Sequence, residues 1–347
     1  MIEGYFVKST PPHNPILIHQ VPLDPAVSVA AAFDNLLIQP DHPSRSESDT
    51  FYIAKDMVLR PQATTYQREV LEAMRKRAGG SPSTAIWSCD VYRRDEVDRT
   101  HSPVFHQMDG VRVWHPSNPV ILSDLQETLE GLVKHLWSGR SVELRWDKTA
   151  TFPFTDPSLE LEMREQDGPW VEVLGAGCIR SDLLQPGEGG WAFGIGLERI
   201  AMLLWGIDDI RLFWSEDERW SKQWLDIAEG SASCFRFKPF SSYPAIEKDL
   251  SFWTPRNFQA NEFFEFCREI GGQDLEEVKL VDRFEKIVDE LEGVCGSSSS
   301  SSPYTKTSHC YRFTYRSFYK TLTHEEVNEM QDKLRRLVVD RMGVELR

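Results

Sequence analysis

The chain has 347 residues, 40% hydrophobic, 27% charged and 11% aromatic, enough apolar material for one large globular domain or two ordinary ones. Its formal net charge of −15 argues against a general nucleic-acid coat, and no run of about 18 apolar residues is there to cross a membrane. The opening MIEGYFVKST reads as neither signal peptide nor Arg-rich presequence, and six cysteines without a CxxC pair fit a reduced compartment and no Cys-based zinc site.

In chain order, the first part reads as short strands: FYIAKDMVL (51–59), AIWSCDVYR (85–93), VFHQMDGVRVW (104–114), VELRW (142–146), WVEVLGAG (170–177) and GWAFGIG (190–196). Helical periodicity falls at 65–78, 123–138 and 196–206. Adjacent short strands joined by loops predict an antiparallel sheet. A new pattern begins near 231–239. It reads as a strand (247–253), a helix (257–270), a strand (278–288), the low-complexity loop GSSSSSSP (296–303), a strand (309–318), a helix (324–341) and a short last strand. Thr323 followed by Glu326 is a capping box for that last helix, and the order matches a ferredoxin-like split βαβ unit. We therefore expect an α+β protein with one domain over residues 1–235 and a second over 236–347.

The stretch 91–110, VYRRDEVDRTHSPVFHQMDG, collects three arginines, four acids and two histidines around a few apolar residues. That order suggests a strand, a charged turn and a returning strand. GIGLER (194–199) runs from a glycine-punctuated strand into a helix, without the third glycine or the ribose acid of a dinucleotide fold. Arg199 falls in the first helical turn, where the dipole disfavours a cation. It wants an anion, and an ion pair or a ligand phosphate would each serve. The segment 303–347 carries nine Lys+Arg against six Asp+Glu, the most plausible place for an RNA contact, although a solvated helix face explains the charge as well.

Arg93, Asp95, His101 and Phe105 resemble motif 2 of the class II aminoacyl-tRNA synthetases, and GIGLER resembles motif 3. The resemblance is closest to the single-chain mitochondrial type of phenylalanyl-tRNA synthetase. It rests on FDNLLIQPDHPSR (33–45), residues 90–114, FPFTDPSLELEM (152–163), WVEVLGAG, residues 190–224 and FKPFSSYPAIEKDLSFW (237–253). It implies an antiparallel-sheet catalytic core flanked by helices and a ferredoxin-like anticodon-binding domain.

The implied ATP set is Arg93, Arg94, Asp95, Thr100, His101, Ser102, Phe105, Glu172 and Arg199. Arg93 would take the α-phosphate, Arg199 the γ-phosphate, with His101 near the phosphates as a third catalytic residue. Phe105 would face adenine, and Glu172 would hold Mg²⁺ with ATP. The implied phenylalanine pocket has Gln107 and Asp109 on the ammonium, Phe152 and Phe154 alternating on a strand to sandwich the ring, and Ala192, Phe193 and Gly194 as floor. Gln62, Thr64, Thr65, Tyr66 and Gln67 would complete it. Here Gln62, Ala63 and Thr64 replace the family's His-Thr-Ser-like stretch, and Asp109 replaces a glutamate. Arg312, Arg316 and Lys320 are the expected tRNA contacts. The implied function is phenylalanine activation and transfer to tRNA(Phe) in the mitochondrial matrix by a monomer, with no membrane contact; a catalytically impaired, tRNA-binding relative is the alternative.

Overall fold

The computed structural model describes residues 1–9, 16–77, 83–115, 121–225, 235–240, 242–288 and 304–347. The serine-rich loop 296–303 lies outside them. By internal packing the chain forms two compact units, Met1–Arg93 with Pro103–Lys238, and Arg94–Ser102 with Pro239–Arg347.

The first unit is built on a seven-stranded sheet: β1 (Leu17–Ile18), β2 (Ser83–Tyr92), β3 (Val104–Trp114), β4 (Val142–Asp147), β5 (Thr155–Glu165), β6 (Val171–Ile179) and β7 (Gly189–Gly196). The strands lie in the order β1-β2-β3-β7-β6-β5-β4. The β1–β2 pair is parallel and every other pairing is antiparallel, as the short-strand pattern predicts. The stretch 51–59 folds as two short strands, Tyr52–Ala54 and Met57–Leu59, of a separate three-stranded sheet.

Side-chain alternation in β7 shows how this sheet is buried. Trp191, Phe193 and Ile195 are at most 3% exposed and face a core shared with Leu125, Leu129, Leu132, Val133 and Leu136. Those five lie on one face of a helix, Ile121–Leu136. Ala192, Gly194 and Gly196 alternate with them and face the other way. A short N-terminal helix, Ile2–Ser9, was not expected. Its Phe6 is fully buried and stacks on Phe193 with centroids 5.4 Å apart.

The second unit is a four-stranded antiparallel sheet, β8 (Ile246–Trp253), β9 (Leu275–Val288), β10 (Tyr304–Tyr315) and β11 (Glu345–Leu346), ordered β9-β10-β8-β11. Helices Ala260–Gly271 and His324–Met342 pack on one face. The capping box is present in full, with Thr323 accepting from the Glu326 amide and Glu326 accepting from that of Thr323. This is the ferredoxin-like order that the sequence predicts.

Candidate functional site

The small-residue face of the first sheet carries most of the expected site. Directly opposed residues in antiparallel strands share a face, and the register makes one row of Trp87, Asp109, Gly194, Gly175 and Glu160. The next row holds Cys89, Gln107 and Gly196. Sequence alternation therefore places Gln107 and Asp109 side by side, beside strands stripped of side chains.

Asp109 is 3% exposed. Its Oδ2 accepts from the Thr64 hydroxyl at 2.6 Å, while its Oδ1 is buried without a hydrogen-bond partner. Burial pushes its carboxyl up to about 7, with Thr64, Arg93 and Gln107 pulling the other way. Gln107 Oε1 accepts from the Ala63 amide at 3.2 Å, and the Trp87 indole donates to the Ala63 carbonyl at 2.8 Å, so the turn 62–66 is fastened to the sheet. A Cβ at Gly194 would lie 2.8 Å from Gln107 Nε2 and 3.0 Å from Asp109 Oδ1. Only glycine avoids crowding these polar tips.

The turn distributes its side chains unevenly. Thr64 reaches the site. Thr65 Oγ1 and Gln67 Oε1 are buried without partners. Gln62 instead donates to the Ala32 carbonyl at 3.2 Å, and the Tyr66 hydroxyl accepts from fully buried Arg60 at 3.0 Å, committing its ring to the core.

The apolar end differs from expectation in two ways. Phe152 and Phe154 stand in the turn before β5 rather than on a strand; Pro153 between them has no amide to donate to a ladder. Their rings stack nearly parallel at 6.0 Å, and Phe152 covers Gly175, whose Cβ would lie 2.9 Å from its Cζ. Phe154 packs on Ala32, Phe33, Leu36, Ile38 and Val58. The second difference is Phe193. Ala192 and Gly194 face the site, but strand alternation turns the Phe193 ring into the rear core, so it offers the site only backbone.

At the charged end, the Arg93 guanidinium lies 5.4 Å over the Phe105 ring, and its Nε donates to the Pro61 carbonyl at 2.7 Å. Arg199, in the first turn of helix Leu197–Trp205, pairs with Glu172 at 3.4 Å, both side chains nearly half exposed. The ion pair posed as one option for Arg199 is present, in a form that an incoming anion can reach. Glu160 lies in the Gly175 row, and burial followed by the charges of Glu172, Asp147 and Glu162 holds its carboxyl above the usual range.

The loop carrying Arg94, Asp95, Thr100, His101 and Ser102 belongs to the second unit. Its Val97 is 6% exposed in that unit's core, and the Val97 carbonyl accepts from the Val278 amide at 2.9 Å. Arg268 donates to the carbonyls of Asp95 and Glu96. Asp98 orders the tip by accepting from the amides of Thr100 and His101 and from the Thr100 hydroxyl. Its 2.7 Å pairing with the His101 ring also helps to hold its carboxyl down to about 2, against burial.

Sequence reasoning missed Glu198. Its buried carboxylate pairs with His106 Nδ1 at 2.6 Å and accepts from the His106 amide at 2.8 Å. That hydrogen bond raises the imidazole above its ordinary pKa, and the ring stacks on half-exposed Trp214 at 6.0 Å. The adjacent helix start in GIGLER was the available signal.

In the second unit, each expected RNA contact is paired within its own unit. Arg312 makes a bidentate bridge to Asp249 with both bonds at 2.9 Å. Arg316 lies just past the end of β10 and pairs with buried Glu276 at 2.7 Å. Lys320 pairs with Glu326. On the sheet face away from the helices, Trp253 and Phe284 meet edge to face at 6.0 Å. Lys306 lies 5.0 Å over Trp253, and Arg347 lies over both rings at 5.6 and 5.0 Å.

Residues 19–224 match the family "tRNA synthetases class II core domain (F)", and residues 241–347 match "Ferredoxin-fold anticodon binding domain". The chain is 42% identical over 338 residues to the chloroplastic/mitochondrial phenylalanine–tRNA ligase of Arabidopsis thaliana, covering 94% of this chain and 72% of that one. The mitochondrial phenylalanine–tRNA ligase of Mus musculus is 37% identical over 383 residues, with 99% and 78% covered. That of Saccharomyces cerevisiae is 33% identical over 406 residues, with 93% and 82% covered.

Proposed function

The chain belongs to the phenylalanine–tRNA ligases of synthetase class II, and from that premise we propose how its residues divide the work. The reaction joins phenylalanine to tRNA in two steps, activation of the carboxylate with ATP and transfer of the acyl group to the RNA. The observation that carries our assignment is the row Asp109–Gly194–Gly175, polar at one end and covered by Phe152 at the other. An amino acid with an aromatic side chain fits that gradient: ammonium on Asp109, Gln107 and Thr64, ring against Phe152 and Phe154. Ala192 floors the pocket, Phe193 supports it from behind, and Thr65 and Gln67 contribute orphaned polar atoms.

Arg93 stabilises charge developing on the α-phosphate as the carboxylate attacks. Phe105, already beneath a guanidinium, offers the adenine a second face. Arg199 exchanges the Glu172 carboxylate for the γ-phosphate.

This family works with ATP and a divalent metal, and the donors here fit one. Burial and the neighbouring charge of Glu172 make the Glu160 carboxyl costly to ionise, and Mg²⁺ is commonly held by one or two carboxylates together with substrate phosphates. We assign Glu172, assisted by Glu160, to Mg²⁺, which would neutralise phosphate charge.

For tRNA(Phe), we move the centre of contact from Arg312, Arg316 and Lys320 to the Trp253–Phe284–Lys306–Arg347 corner. Aromatic faces beside cations take unstacked bases, whereas the three original cations are neutralised by acids of their own unit, with Arg312 at the margin of the same face. The mouse and yeast relatives are mitochondrial; we assign this chain to the same organelle, in the matrix, as a monomer.

The test is phenylalanine-dependent ATP–pyrophosphate exchange together with charging of tRNA(Phe). Activity in both is expected. Retained tRNA binding without exchange would instead identify a catalytically impaired relative.

A further inference from the structure

We propose that Asp109 is a neutral carboxylic acid before substrate binds and gives up its proton when the ammonium group of an incoming amino acid docks at Oδ1. The inference rests on the assignment of this site to phenylalanine and adds to it a proton released on binding.

Asp109 is 3% exposed, and a buried carboxylate is costly unless a cation or several donors meet it. Its Oδ2 has one neutral donor, the Thr64 hydroxyl at 2.6 Å, and its Oδ1 has no well-formed hydrogen bond, only the neutral Gln107 carboxamide beside it. From just past the end of β2 comes Arg93, whose Nε is committed to the Pro61 carbonyl at 2.7 Å, and from β2 itself Cys89, a thiol that burial pushes up to about 12 and so leaves neutral. From the turn comes Thr64, and from β3 the Gln107 carboxamide. On β7 and β6, Gly194 and Gly175 present no side chain. Arg93 attracts the ionised form, yet desolvation outweighs it and leaves the carboxyl poised near 7. As an acid, Asp109 can turn the bond with Thr64 around and donate to its hydroxyl.

The bound state inverts this balance. An α-ammonium group reaching Oδ1 places a full positive charge with N–H donors against the orphaned oxygen, and the ionised carboxylate becomes the stable form. The O–H bond of the Asp109 acid breaks, its proton passes to the solvent, and the ammonium keeps all three of its own. A group that must ionise to bind ties affinity to pH. Phenylalanine should bind more tightly as pH rises towards about 7 and reach a plateau above it, until the amino acid's own amine deprotonates.

Isothermal titration of the full-length chain with phenylalanine, in buffers of different ionisation enthalpy, counts the protons exchanged. We expect release approaching one proton at about pH 6, roughly half a proton at about pH 7 and close to none at about pH 8.5. Asp109→Asn, which is neutral throughout, should abolish the release. Heat of binding with no proton released at pH 6, or the same release from Asp109→Asn, overturns the proposal while leaving the function assigned above intact. A chain that neither binds phenylalanine nor exchanges pyrophosphate instead overturns that assignment. The proposal then still faces a ligand-free measurement, ¹³C NMR titration of the Asp109 carboxyl, identified by its loss in Asp109→Asn. A midpoint near 7 supports a neutral acid at rest, and a midpoint near 4 excludes it.

Discussion

Adding one methyl group at either of two neighbouring glycines separates the polar end of the site from its apolar end. Gly194 and Gly175 face each other across β7 and β6. An alanine Cβ at 194 would sit 2.8 Å from Gln107 Nε2 and 3.0 Å from Asp109 Oδ1, against an ordinary contact of about 3.5–4.0 Å. Neither neighbour yields freely, because Gln107 is held by the Ala63 amide and Asp109 by Thr64. Overpacking of this kind costs about 1–3 kcal/mol, and a lost hydrogen bond to a charged ammonium about 1.5–3 kcal/mol. Together they predict that Gly194→Ala lowers kcat/KM for phenylalanine in pyrophosphate exchange by roughly 10²-fold or more. An alanine at 175 would instead meet the Phe152 ring tip at 2.9 Å, and that ring sits in a turn and can swing. Gly175→Ala should cost about tenfold for phenylalanine but much less for leucine, since one methyl-sized change in an apolar pocket is worth about 1–3 kcal/mol of discrimination. Measuring kcat/KM for both amino acids in both variants gives four numbers. If Gly194→Ala retains wild-type kcat/KM, or if both variants shift the phenylalanine-to-leucine ratio equally, the division of the site into two ends is wrong.

Arg93→Ala should leave the circular dichroism spectrum unchanged and slow pyrophosphate exchange by ~10²–10³-fold, the usual loss for one transition-state donor; near-wild-type exchange would remove Arg93 from that role. Glu198→Gln tests the clamp on His106. Because Glu198 raises the imidazole pKa, its stabilisation is present below about pH 6.5 and fades as pH rises through the raised value. Thermal melts should show the variant less stable at acid pH, with the gap narrowing in alkali, and a gap that widens with pH would contradict the sign. Trp253→Ala with Phe284→Ala should weaken binding of tRNA(Phe) in a filter assay by tenfold or more, at about 1–3 kcal/mol per stacked base. Glu276-paired Arg316→Ala should change it far less, and the opposite order would restore the arginine as the centre of contact.

What could be read from the sequence follows physical range. Alternation in GWAFGIG and the order of elements after residue 245 are local signals, and the sheet core and ferredoxin-like unit follow from them. Two site errors were also locally avoidable, since Phe193 shares its parity with Trp191 and Ile195, and Pro153 disfavours a strand between Phe152 and Phe154. Other features depend on register across long separations. Nothing near Arg312 announces that Asp249 stands opposite it on β8, nor does the sequence around Asp109 reveal that Thr64 takes one oxygen and leaves the other bare. Helix Ile2–Ser9 was missed because its apolar residues, Ile2, Tyr5 and Phe6, span barely two turns.

The unit that closes on Val97 also sets an order of events during synthesis. Residues 94–102 emerge from the ribosome early, while the remainder of their unit begins only at Pro239. At about 5–20 residues per second, Val97 and its charged neighbours wait roughly ten seconds or longer before strands β8, β9 and β10 are made. During that interval the sheet of the first unit can assemble from its own strands, with an uncovered valine at the tip of its β2–β3 connection. The second unit can complete its core only by collecting a segment laid down long before, so the last step of folding is a long-range closure rather than the independent folding of a tail.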